Sequence, residues 1–117
     1  MAYYRRSTPR SEPDERVFAF WSSGGPGDLS RVRNFSLGGV FIETDSRKEL
    51  GTPVEIYFLV GEGQICAKAV VRHADPESGL GLKFTTLDGL NLLRFGALMK
   101  RLYASTAPVA ALHGRTA

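Results

Sequence analysis

One cysteine, Cys66, stands in 117 residues, so an internal disulfide and any multi-cysteine metal site are excluded. It alternates with Lys68 in a strand-like run and reads as a small packed hydrophobe, not as a reactive thiol. Only two histidines occur, His73 and His113. They lie far apart without ligand-like neighbours, so metal chemistry is not expected. Long apolar runs are missing too. None approaches the ~18 residues a membrane span needs, so no span is expected. Met1-Ala2-Tyr3-Tyr4-Arg5-Arg6 has no apolar stretch after its charges and does not read as a secretory signal, which makes a cytoplasmic location the expectation. No Ser/His/Asp grouping is visible. Gly24-Gly25-Pro26-Gly27 lacks the Lys-Ser/Thr that follows in a nucleotide-hydrolase loop, and Glu43 and Asp45 read as a solvated strand end. No enzyme is expected.

Lysine is absent before residue 48, where the basic residues are Arg5, Arg6, Arg10, Arg16, Arg31, Arg33 and Arg47. Solubility alone is served equally by lysine. A site that needs planar, bidentate donors is not. The net charge is a mild +3. Glu12, Asp14 and Glu15 sit beside the first arginines and dilute any phosphate-tracking stripe, so general nucleic-acid binding is not expected. With 43% hydrophobic residues the chain is too apolar for general disorder, and its length suits one domain.

Turn signals divide the chain. Residues 1–15 are polar, with Pro9 and Pro13, and read as a flexible arginine-bearing arm. Arg16 to Trp21 is aromatic and β-branched, a first strand. After the loop Ser22–Asp28 come a second strand at Leu29–Asn34, a turn at Ser36-Leu37-Gly38-Gly39, and a third strand at Val40–Thr44. A fourth is expected at Val54–Val60, followed by a tight hairpin turn at Gly61-Glu62-Gly63. The fifth has the cleanest alternation, with Ile65, Ala67, Ala69 and Val71 on one face. A sixth spans Leu80–Phe84, where Gly81 suggests a close backbone approach. About six short strands between turns suit a small closed barrel.

The period then changes. Asp88 is placed to cap a helix running to about Tyr103. Leu92, Phe95, Met99 and Leu102 form one face, with Leu98 beside them, ready to cover the barrel. Lys100 and Arg101 are expected in its last turn, complementing the helix dipole. Gly96 suggests close packing on the barrel. Residues 16–104 therefore read as barrel plus helix, and residues 105–117 as a disordered tail.

Two segments use the chemistry of anion and purine recognition. Arg6-Ser7-Thr8-Pro9-Arg10 holds two guanidinium forks, which pair bidentately with phosphate or with the O6/N7 edge of guanine. Asn34-Phe35-Ser36-Leu37-Gly38-Gly39 enters Val40-Phe41-Ile42-Glu43-Thr44, and its glycines let a backbone approach an anion. Asn34 and Ser36, two apart, face the same way on an extended segment. Each piece alone is common. Their order, followed by Gly79-Leu80-Gly81-Leu82-Lys83-Phe84, resembles the PilZ domain, a bacterial receptor for cyclic di-GMP, over roughly residues 5–103.

The resemblance implies a six-stranded antiparallel β-barrel with a C-terminal α-helix, binding cyclic di-GMP on its outer surface without a cofactor. Arg6 and Arg10 match the arginines that hold guanine and phosphate. Asn34, Ser36 and Gly39 match the polar turn, with Gly38 beside them, and Gly81 matches the glycine of the late strand. Arg5 and Arg33 are secondary candidates. Glu12, Asp14 and Glu15 depart from an ideal anion site, because their charge opposes a dianion. The expected function is a signalling receptor that orders its arm on binding and acts through a separate protein effector. One rival is a ligand-blind adaptor of the same fold. Another is a small oligonucleotide-binding barrel, which needs exposed aromatics such as Phe18, Phe20, Phe35 or Tyr57 for base stacking.

Overall fold

The structure is a computed structural model and describes residues 15–106. Six strands follow one another: β1 (Val17–Ser22), β2 (Asp28–Ser36), β3 (Gly39–Glu43), β4 (Pro53–Leu59), β5 (Ile65–Asp75) and β6 (Gly79–Thr86). A single helix, α1 (Gly89–Thr106), completes the order. The strands close antiparallel into a barrel in the order β1-β2-β3-β6-β5-β4, with β4 pairing back onto β1. Closure leaves no open sheet edge among these strands.

Alternation builds the interior. Val17, Ala19 and Trp21 of β1, Val54, Ile56 and Phe58 of β4, and Ile65, Ala67, Ala69 and Val71 of β5 are all buried. Ser30 is the one buried polar residue among those described, and it accepts a 2.8 Å hydrogen bond from Trp21 Nε1. The pair satisfies a donor that would otherwise be stranded in an apolar core.

The helix closes one end. Phe95, Leu98 and Leu102 are fully buried. The Phe95 ring lies 5.3 Å from Phe84, 5.4 Å from Phe58 and 6.3 Å from Phe35, all centroid distances within the favourable aromatic range. The Asp88 carbonyl accepts the Leu92 N–H at 3.2 Å, opening the helical ladder. Asn91 Oδ1 accepts the Cys66 N–H at 2.8 Å, and Arg94 Nη1 donates to the Gln64 carbonyl at 2.8 Å, which pins the first turns to the start of β5.

The helix keeps Phe95, Leu98 and Leu102 on its expected face, with Met99 packed against the core, and departs from that face at Leu92. Leu92 is 40% exposed, and Asn91 takes the inward place one helical step away. At 3.6 residues per turn the buried line is 91-95-98-102, and Met99 is only partly covered. The helix runs on to Thr106, so Lys100 and Arg101 are not in its last turn. Arg101 turns aside to Glu62, with Nε at 2.5 Å and Nη2 at 2.9 Å, and also meets Glu15. A Cβ at Gly96 would meet nothing within 4 Å, so this glycine marks no close packing. The β4–β5 connection spans 60–64 and contains the expected turn, in which the Gly63 N–H donates to the Val60 carbonyl at 3.4 Å, with Gly63 at φ +117°. Apart from Glu15, Ser105 and Thr106, the expected arm and tail lie outside the described residues.

Candidate functional site

The polar segment is shaped by a β-bulge. In β2 the buried positions are Ser30 and Val32, then Phe35. Strict alternation would have driven Asn34 and Ser36 into the core. The β2–β3 register shifts between Arg33, opposite Phe41, and Ser36, opposite Gly39. Asn34 takes up the extra residue in the left-handed region at φ 54°, which asparagine tolerates better than most residues. The shift turns Phe35 inward to meet Phe95 and leaves both Asn34 and Ser36 exposed. The two residues do share the solvent side, but through the bulge and not through simple extension.

Ser36 then holds the turn. Its Oγ donates to the Gly39 carbonyl at 3.2 Å and accepts from the N–H groups of Gly38 and Gly39, each at 3.2 Å. The two glycines differ in environment. A Cβ at Gly39 would lie 2.0 Å from the Leu82 carbonyl oxygen, because β6 backbone passes directly against it. At Gly38 the nearest atom is Ser36 Oγ at 3.9 Å, so that side of the turn is open.

Pairing of β3 with β6, and of β6 with β5, extends the turn into a surface. Arg33, Phe41, Gly81 and His73 stand in one cross-strand row over β2, β3, β6 and β5. Ser36, Gly39, Lys83 and Val70 form the next row. The Arg33 guanidinium carbon lies 5.4 Å above the Phe41 ring, a cation–π arrangement. Glu43 Oε2 holds the same side chain, 3.2 Å from Arg33 Nε, with Arg31 Nη1 at 3.8 Å. The Arg33 contact is an ion pair without hydrogen-bond alignment. Gly81 leaves bare backbone between Phe41 and His73, and a Cβ there would stand 3.1 Å from His73 Cβ. The result is a shelf: a polar turn at one end, a cation over an aromatic ring, then the half-buried backbone of Gly81. Beyond Arg33 the surface turns acidic at Glu43, Asp45 and Glu77.

Arg5, Arg6 and Arg10 lie outside the described residues. Their attachment point does not. Val17, at the start of β1, pairs with Val32 beside Arg33 and Asn34, so the root of the arm sits next to the bulge. Glu15 is tied to Arg101 of α1. Phe41, His73 and Lys83 were not singled out from sequence. The outward phase of Val40-Phe41-Ile42 was a signal for Phe41; nothing local placed His73 and Lys83 near it.

The family model for the PilZ domain matches residues 4–101. The chain belongs to the PilZ domain family. This is a family of cyclic di-GMP receptors and adaptor domains. Among solved structures the PilZ barrel is similar to K. pneumonia MrkH in its apo state, with a TM-score of 0.66 and 16% identity over 87% of this chain and 54% of that one. A second crystal of K. pneumonia MrkH gives a TM-score of 0.65 at 16% identity, covering 87% and 52%. The chain thus spans about half the length of the MrkH chains it matches. None of the curated proteins matches it. Among the described residues no helix is long and apolar enough to cross a membrane.

Proposed function

We propose that this PilZ domain binds cyclic di-GMP on the outer face of β2, β3 and β6. In this reading the arm supplies Arg6 and Arg10 to the phosphates and to one guanine edge, from a root already beside the bulge. Asn34, turned outward by its left-handed backbone, offers an amide that both donates and accepts, as a guanine edge or ribose requires. Ser36 sets the shape of the turn and Gly38 leaves its open side free for the ligand. Arg33, held over the Phe41 ring, gives a planar cation next to a surface on which a purine can lie. Ordering the arm is the signal, read in the cytoplasm by a separate protein effector. The domain has no catalytic task in this account.

The observation that carries the reading is the bulge at Asn34. The chain adopts an unusual backbone there, and the effect is to put the motif's polar side chains outside. One observation favours the ligand-blind adaptor: Ser36 and Gly39 both have purely structural work in the turn, so those two positions of the motif suit the fold even without a ligand.

Calorimetric titration with cyclic di-GMP separates the two. The wild-type chain binds, and Arg10→Ala weakens binding roughly 10- to 100-fold, the loss of a hydrogen bond to a charged group. A folded wild-type chain that takes up no ligand makes the adaptor the better account.

A further inference from the structure

The outer face of the barrel away from the shelf is apolar. Phe18 is 40% exposed, Phe20 45%, Leu29 59% and Leu59 60%. Strand register makes them neighbours. Phe20 lies between Leu29 on β2 and Tyr57 on β4, and Phe18 lies between Arg31 and Leu59. Phe20 has a prepared seat, since a Cβ at Gly27 would come 2.3 Å from its ring and the missing side chain lets the ring spread over the surface. Counting ~200 Å² for a full side chain of this size, the four residues expose about 400 Å² in one patch, at the scale where a patch marks an interaction site.

We infer that this face is the contact between two copies of the chain. The patch is self-complementary in its register. A two-fold axis lying in the sheet plane through Phe20, diagonal to the strands, sets Phe20 on Phe20 and Leu59 on Leu59. The same operation carries Phe18 onto Tyr57 and sets Arg31 opposite Glu55, the outward residue two before Tyr57 on β4. Aromatic meets aromatic at the centre and Leu29 meets Ser22; of the two charge pairs created, Arg31 with Glu55 is of opposite sign, and Arg33 with Lys68 is a like pair at the rim. The two sheets then cross near a right angle, one of the two ordinary ways sheets pack face to face. An apolar centre of this size is about what an interface of ~800 Å² per partner requires. A single-stranded nucleic acid fits worse, because Glu55 borders the patch where a phosphate-tracking groove needs cations. The contact does not depend on ligand binding at the shelf.

Sedimentation equilibrium on the full chain without ligand, from low to high micromolar concentration, tests this. The expected result is the mass of two chains. Phe20→Glu, which acts twice at the axis, raises the dissociation constant roughly 30-fold or more, the effect of a central hot-spot residue. Leu93→Glu, on a helix position 71% exposed and outside the patch, leaves the mass unchanged. Leu59→Lys is the second patch variant. Thermal melts check that each variant is folded, and if one is not, the other decides. A wild-type chain that stays monomeric throughout overturns the inference, including the case in which the patch serves a different protein. So does wild-type association by folded Phe20→Glu or Leu59→Lys.

Discussion

A Cβ at Gly39 would press to 2.0 Å from the Leu82 carbonyl, whereas one at Gly38 meets only Ser36 Oγ at 3.9 Å. Gly39→Ala therefore forces β3 and β6 apart and is expected to cost about 1–3 kcal/mol, the usual range for overpacking. Gly38→Ala should stay within ~0.5 kcal/mol of wild type in stability and still weaken cyclic di-GMP binding, because it fills the open side of the turn. Paired melts and titrations read both effects. A Gly38→Ala chain with full affinity removes the turn from the ligand surface. Ser36→Ala is a poorer probe, since it strips the hydroxyl that satisfies two N–H groups and one carbonyl. Gly39 and Gly38 look alike in sequence, and only the strand passing behind Gly39 tells them apart.

Among the elements, α1 carries two tests. Phe95 is fully buried against three phenylalanines, so Phe95→Ala should cost about 3–5 kcal/mol. Leu92→Ala, at an exposed position, should cost less than ~0.5 kcal/mol. Equal losses in denaturant titration would restore the helical face read from sequence. The second test is acid stability. Hydrogen bonds from Arg101 hold the Glu62 carboxyl below the ordinary glutamate range. A carboxylate depressed in the folded state contributes stability that is fully present above its unfolded value, about pH 4.3, and is lost as pH falls through the folded value. Arg101→Gln is expected to lower stability by about 0.5–1 kcal/mol at neutral pH, in keeping with a surface ion pair whose arginine is exposed and whose carboxylate is mostly covered, and to flatten the acid limb below pH ~4. An acid limb as steep as that of wild type would mean that another carboxylate controls it.

For the whole molecule, charge is the long-range variable. Cyclic di-GMP is a dianion, and the proposed site meets it with arginines on a chain of net charge +3. Affinity should therefore fall as salt rises from low to physiological ionic strength, where the screening length is about 8 Å. Arg10→Ala should show a shallower dependence than wild type. Titrations at several salt concentrations measure both slopes, and an affinity indifferent to salt would point to a site held by apolar contact.

The number and order of the strands, the change of period at the helix, and the family were legible in the chain itself. Alternation, helical spacing and turn chemistry are local, and each is written in a few consecutive residues. Phe95, Leu98, Ile65 and Val71 took their inward places on that basis. What the tertiary structure decided is everything that depends on register. A one-residue shift reverses which side chains face out, and the bulge at Asn34 is such a shift. It put Phe35 in the core and the polar motif outside, where strict alternation predicts the reverse. Pairing of β6 with β3 and β5, not proximity in sequence, set Gly81 and His73 in one row with Arg33 and Phe41, while the β1–β2 hairpin brought the root of the arm to the bulge. Arg101 found Glu62 and Glu15 for the same reason: its partners come from two other segments, and only the folded chain brings the three together.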